Sequence, residues 1–197
     1  MTPQLVLAST SPRRKELLQQ IGVSFTQLSI DINEDVEPSE SAEQYVLRLA
    51  KEKAAAGFEL LSAIEKTNCV VLAADTTVVC DGHILAKPES LSHSKKILSQ
   101  LSGSEHVVMS AIGMHSQDKK VQKAVTTKVK FRSITEAEIE AYWQSGEPQD
   151  KAGSYGIQGL GAVFVESITG SYSNVVGLPL CETAQLLNQF NIAFWQL

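Results

Sequence analysis

The sequence predicts an α/β fold in two lobes, with a central mixed β-sheet and a cleft between the lobes, and three observations carry that prediction. Short apolar strand segments alternate with amphipathic helical segments along the whole chain. Asp81-Gly82, the two-residue signal for a tight hairpin, interrupts that alternation, and a second strand pair follows in the later half, so the sheet is mixed rather than wholly parallel. No internal repeat, low-complexity run or linker splits the chain, so residues 1–197 are expected to form one domain with a sizeable core.

The first strand, Gln4 to Ala8, runs into Ser9-Thr10-Ser11-Pro12-Arg13-Arg14-Lys15. Ser11 followed by Pro12 predicts a helix start, with Leu17, Leu18 and Ile21 as the inward stripe and Gly22 as the stop. Arg13, Arg14 and Lys15 fall in the first turn, where backbone N–H groups already present positive charge, and each misplaced cation costs on the order of 0.3–1 kcal/mol. A docked anion would reverse that cost, which makes this turn a candidate phosphate site. A plain capped helix with solvated arginines is the alternative.

Phe25 to Ile30 predicts a second strand, followed by an acidic loop containing Asp31, Glu34, Asp35 and Glu37. Such a loop is either solvated surface or a source of oxygen ligands for a hard divalent cation. Ser41-Ala-Glu-Gln44 predicts a capping box opening a long helix to about Leu61. Lys53 shares the apolar face of that helix with Val46, Leu49 and Ala50, so it points inward, either snorkelling or serving as a phosphate ligand.

Cys69 to Cys80 is a strand apolar on both faces with one carboxylate, Asp75, in its middle. A carboxylate there needs cations, a metal or hydrogen-bond donors around it, and it either ties down a loop or serves an active site. The Asp81-Gly82 turn predicts a partner strand His83 to Pro88 that returns Lys87 opposite Ala74 to Thr76, as a second cation beside Asp75. Ser90 to Leu101 predicts a helix, Glu105 to His115 and Lys119 to Ile134 predict two strands, and Thr135 with Glu138 predicts a further capping box that starts a helix ending near Gly146. In the stretch Gly153 to Gly161, four glycines either let backbone approach a ligand or make a tight irregular turn. They are expected to lead into a strand at Ala162 to Val165, and Gln158 among them carries an amide suited to reading the edge of a base. Leu180 to Phe190 predicts the closing helix.

Composition narrows the function classes. With 43% hydrophobic and 20% charged residues and a net charge of −5, the chain reads as a globular protein and not as a general nucleic-acid binder. No apolar run has the length of a bilayer span and no signal-peptide pattern opens the chain, so no membrane partner is expected. Cys69, Cys80 and Cys181 lack metal or redox spacing and are expected to be reduced thiols in a cytoplasmic protein. The four histidines, His83, His93, His106 and His115, are scattered singly and read as surface residues. No dinucleotide fingerprint or P-loop is present.

Taken together, Ser9-Thr-Ser-Pro-Arg-Arg14, Ala73-Ala-Asp-Thr-Thr77, Ala86-Lys-Pro88 and Lys151-Ala-Gly-Ser-Tyr-Gly-Ile-Gln-Gly159 resemble, in order and across nearly the whole chain, the Maf family of nucleotide pyrophosphatases. The Gly-Ile-Gln-Gly form is similar to its dTTP/UTP branch. The resemblance implies a two-lobed Maf/ITPase-like fold, a cytoplasmic homodimer, a divalent metal (Mg or Mn), and hydrolysis of a nucleoside triphosphate between the α- and β-phosphates. It makes Asp75 the proton acceptor, and Arg13, Thr76 and Gln158 the positions that set the preferred base. Ser9, Ser11, Lys53 and Lys87 match polar or basic cleft positions suited to phosphate, and Glu34 an acidic one suited, with Asp75, to a metal. The competing expectation is a nucleotide-binding regulator of cell division that senses a ligand without consuming it.

Overall fold

A computed structural model of the chain describes residues 3–196. In chain order the elements are β1 (Gln4–Ala8), α1 (Pro12–Gln20), β2 (Phe25–Leu28), α2 (Ala42–Glu59), α3 (Ala63–Lys66), β3 (Cys69–Cys80), β4 (His83–Leu85), α4 (Leu91–Leu101), β5 (Glu105–His115), β6 (Lys120–Phe131), α5 (Glu136–Gln144), β7 (Val165–Thr169), α6 (Tyr172–Val176) and α7 (Leu180–Gln189). Three short 3₁₀ segments, Glu147–Asp150, Ala152–Ser154 and Leu160–Phe164, lie between α5 and β7.

The sheet runs in the order β2-β1-β3-β5-β6-β7, with β4 paired to β3. β1 is parallel to β2 and β3, while β4 is antiparallel to β3 and β7 to β6, which is the mixed α/β sheet that the alternating pattern predicts. The chain divides into two compact units, one of residues 1–75, 110–125 and 177–197, the other of residues 76–109 and 126–176. β3, β5 and β6 run through both.

In the first unit, Val6, Ala8, Ala54, Phe58, Cys69, Val71 and Ala73 form a buried cluster between α2 and the sheet, flanked by Leu28, Ile30 and Leu61. The helix lies unusually close to the strands because small residues permit it. A Cβ on Gly113 would stand 2.4 Å from the Ala50 carbonyl oxygen, and one on Gly57 2.9 Å from the Ala8 Cβ. Ser41 and Gln44 make the predicted capping box, which fixes where α2 begins and therefore which residues share its inner face. α1 begins at Ser11 and Pro12 and buries Leu17 and Leu18 as predicted, with Gly22 beyond its end at φ +66°.

In the second unit, α4 starts at the Ser90 cap and buries Ile97, Leu98 and Leu101. α5 packs beside it, opened by the Thr135 and Glu138 capping box, with Ile134 and Ile139 both buried as its staple.

The structure corrects several expectations. The strand expected at Ala162 to Val165 starts only at Val165, because Leu160–Phe164 winds as 3₁₀. The second strand stops at Leu28, the long helix stops at Glu59, and two short helices are added, α3, which opens on a Ser62 and Glu65 capping box, and α6, each having at most five residues. His106 and His115 are buried, not on the surface. His106 packs edge-on to Phe131 and Tyr155, and His115 stacks on Phe58 with ring centroids 4.3 Å apart. The three cysteines are free thiols, Cys69 and Cys80 buried and Cys181 exposed. Among the described residues no helix is long and apolar enough to cross a membrane.

Candidate active site

In the first unit the sheet delivers a buried carboxylate to a buried ammonium. Asp75 is 7% exposed and Lys53 8% exposed. Lys53 reaches Asp75 because Val46, Leu49, Ala50 and Lys53 share the face of α2 that packs on the strands. The Lys53 Nζ donates to Asp75 Oδ1 at 2.7 Å and stands 2.6 Å from Glu34 Oε1, so one cation is shared between two carboxylates. Such a pair is tolerated in a core because each charge is neutralised and hydrogen-bonded.

Glu34 is held from the helix side as well. The Tyr45 hydroxyl donates to its backbone carbonyl at 3.0 Å. Burial, with Asp75 and Glu34 nearby, pushes the Tyr45 phenol up to about 12, so it stays protonated as a donor at neutral pH. Tyr45 was not singled out from the sequence, although its position eight residues before Lys53 places it on the same helical face.

The first turn of α1 carries two arginines and no acidic residue. Ser11 occupies the N-cap position but makes no side-chain cap bond. The Ser9 hydroxyl accepts from the Ser11 N–H and from Arg14 Nη1, both at 3.3 Å, and the Ser9 carbonyl accepts from Gln27 Nε2 at 2.8 Å. Arg14 is turned inward, its Nε donating to the Gly177 carbonyl at 3.0 Å. Burial, with Arg13 nearby, holds its pKa below the ordinary guanidinium value, although the Asp75 and Glu34 carboxylates act in the opposite direction. Arg13 is half-buried and makes no ion pair or hydrogen bond to another described residue. Of the unit's expected residues, Asp75, Lys53 and Glu34 are thus brought into direct contact, and Ser9 and Ser11 are joined to each other. Gln27 and Tyr45 are added to them, and Arg14 gains defined partners.

The second unit carries Thr76, Lys87 and Gln158. Thr76 follows Asp75 directly in β3 and is half-buried. The antiparallel ladder ends at Val78 opposite Leu85, short of Lys87, which is exposed and forms no ion pair with a described residue. The ammonium on Asp75 is therefore that of Lys53.

Gln158 is exposed in a turn whose glycines have a definite cause. A Cβ at Gly159 would come 2.2 Å from Glu147 Oε2, one at Gly161 2.7 Å from the Tyr142 hydroxyl, and one at Gly156 2.8 Å from the Lys151 Cε. These glycines give room to side chains of their own unit. Glu147 then bonds the backbone it displaces space for, accepting from Leu160 N at 2.7 Å and Gly161 N at 3.1 Å. Neither Glu147 nor Tyr142 carried a sequence signal for this, since both partner segments lie more than a helical turn away.

Among the described residues no group of three or more His, Cys, Asp or Glu side chains is placed to hold a metal. The donor set that is present, Asp75 and Glu34 on one Lys53, is an all-oxygen pair. It fits an ion of the magnesium class, which takes one or two protein carboxylates and completes its shell with water and phosphate oxygens.

A family model described as Maf-like protein matches residues 4–190. Similar curated proteins are named dTTP/UTP pyrophosphatase. The one from Vibrio parahaemolyticus is 55% identical over 186 residues, covering 94% of this chain and 96% of its own. That from Pseudoalteromonas atlantica is 52% identical over 189 residues, covering 96% and 98%, and that from Hahella chejuensis 50% identical over 192 residues, covering 98% and 94%.

Proposed function

This chain belongs to the Maf family, and from that premise we propose that it is a hydrolase, a nucleoside triphosphate pyrophosphatase that converts dTTP and UTP to the monophosphate and pyrophosphate. The observation that carries the proposal is the buried Asp75 carboxylate, held by the same Lys53 ammonium that binds Glu34.

In this reading Asp75 accepts the proton of a water that attacks the α-phosphorus, the bond to the bridging oxygen breaks, and pyrophosphate leaves with the electron pair. Such displacements ask mainly for positioning and charge neutralisation. Lys53, Arg13 and Lys87 supply cationic donors to the triphosphate, and Ser9 and Ser11 supply hydroxyl and backbone donors at the α1 N-terminus. Arg13, Thr76 and Gln158 set the base preference, Gln158 through its amide. Asp75 and Glu34 are the residues to hold a divalent cation, Mg or Mn, which when bound supplies further positive charge against the phosphate oxygens. One functional domain over residues 1–197, a homodimer and a cytoplasmic location belong to the same proposal and rest on the family resemblance. Light scattering of the purified protein at twice the mass of the chain is the outcome expected of the dimer.

The test is pyrophosphate release from dTTP and UTP with Mg²⁺. Asp75→Asn keeps an oxygen for Lys53 and leaves Glu34 as a counter-charge, so the fold is expected to survive while turnover drops by at least about 100-fold. Wild-type rates in that variant would overturn the role of Asp75. Binding without pyrophosphate release by the unaltered protein would instead favour a nucleotide-sensing regulator.

A further inference from the structure

We infer that Glu147 is a positioning residue for base selection, which holds the backbone of residues 156–161 and thereby aims the Gln158 amide without touching the substrate. The inference rests on the reading above that Gln158 meets the base.

The Gln158 side chain makes no hydrogen bond to another described residue, so what the protein fixes is the backbone from which its amide reaches out. Discriminating bases by hydrogen bonds requires donors and acceptors held to within about 0.5 Å. Glycine-rich backbone is the least suited to that precision, because each glycine has the widest choice of φ and ψ. The structure supplies the missing order from one carboxylate and one phenol. Glu147 Oε2 accepts from Leu160 N at 2.7 Å, and Glu147 Oε1 accepts from Gly161 N at 3.1 Å and from the Tyr142 hydroxyl at 2.8 Å. The same hydroxyl accepts from Gly156 N at 3.0 Å. Both flanks of the Gln158 turn therefore hang on a single hydrogen-bonded pair.

That pair is itself anchored. The Glu147 N–H donates to Ser145 Oγ at 3.2 Å, and its carbonyl accepts from Lys151 Nζ at 2.6 Å. Burial, then the Glu147 carboxylate, push the Tyr142 phenol well up, so it remains a donor to Glu147. The hydrogen bonds from Gly161, Leu160 and Tyr142 outweigh burial and hold Glu147 below the usual carboxylate range, so it remains an acceptor. Every member lies in the second unit and none is among the residues assigned to proton transfer, so loss of the clamp falls on recognition and leaves the chemical step.

Glu147→Gln is nearly isosteric but turns one acceptor oxygen into an amide donor facing a backbone N–H. Steady-state kcat and KM are measured with dTTP, UTP, dCTP and dATP, four triphosphates with one tail and four bases, for the unaltered protein, Glu147→Gln, Gln158→Ala and the double variant. Glu147→Gln is expected to raise KM for dTTP roughly tenfold with kcat within about twofold, and to move base preference toward that of Gln158→Ala. The double variant is expected to be no worse than Gln158→Ala, since both changes remove one function. Amide hydrogen exchange at residues 160 and 161, which needs no turnover, is expected to quicken in Glu147→Gln. If that variant does not fold, Tyr142→Phe, which removes the hydroxyl's bonds to Gly156 and Glu147 and leaves Glu147 on Leu160 N and Gly161 N, is expected to shift KM and preference in the same direction by less. Unchanged base preference in a folded variant, a fall in kcat with unchanged KM, additive effects in the double variant, or unchanged exchange overturns the inference. Absence of pyrophosphate release by the unaltered protein from every triphosphate would instead overturn the reading beneath it.

Discussion

Lys53 shows what a single residue can and cannot announce. Its inward direction follows from helical spacing, because Val46, Leu49 and Ala50 mark the face it shares. Its partners do not follow, because Asp75 and Glu34 come from a strand and a loop elsewhere in the chain. His106 is the opposite case, a lone histidine whose burial no local pattern discloses. Its Nε2 is 2.9 Å from the Tyr155 hydroxyl, while its Nδ1 is buried without a partner among the described residues. Burial pushes its pKa down to about 4 from 6.5. The unfolded chain therefore binds more protons than the folded one between those values. Stability is intact above about pH 6.5 and falls as pH drops toward 4, by on the order of 3 kcal/mol from this group. Urea midpoints between pH 7.5 and 4.5 should show that loss, and His106→Gln should flatten it. An equal acid slope in both proteins would refute it.

At the scale of elements, the site depends on how closely α2 approaches the sheet. Gly113 in β5 leaves its Cβ position to the Ala50 carbonyl of α2. Gly113→Ala must push the helix outward, and overpacking of this kind costs about 1–3 kcal/mol. Because α2 also carries Lys53, the same substitution should lower pyrophosphate release, where Asp75→Asn lowers release alone. Calorimetry alongside the assay checks this, and an unshifted Tm would show that the contact is not as tight as described. The caps of α2 and α5 were legible in the sequence since Ser41 with Gln44, and Thr135 with Glu138, are three residues apart and interact locally. The glycines of the Gln158 turn were legible as glycines only. What fills the space beside them, Glu147 and Tyr142, is settled by α5 and the 3₁₀ segment after it folding back on the turn.

For the molecule as a whole, a net charge of −5 coexists with a local group of cationic donors in Arg13, Arg14 and Lys53. The affinity for a polyphosphate proposed above is thus assigned to one region and not to the overall field. A nucleotide that binds only the folded chain stabilises it by about 2.7 kcal/mol at 100 times its Kd. For a chain of this size that corresponds to a rise in Tm of roughly 5–11 °C. The Asp75→Asn protein with dTTP or UTP and Mg²⁺, which would bind without turnover, is the sample for this measurement, and no rise with either nucleotide would contradict the proposed substrate class. The amino-acid sequence by itself determined the alternation of strands and helices, the hairpin at Asp81-Gly82, the caps, the inward face of α2 and the family. All of these depend on neighbours in the chain or on the order of short motifs. Only the tertiary structure decided that Lys53 joins Asp75 to Glu34, that Glu147 grips the turn bearing Gln158, and that His106 and His115 lie inside. Those contacts unite segments far apart in the chain, and close packing of helices on a sheet, which no local periodicity encodes, selects which distant side chain fills each space.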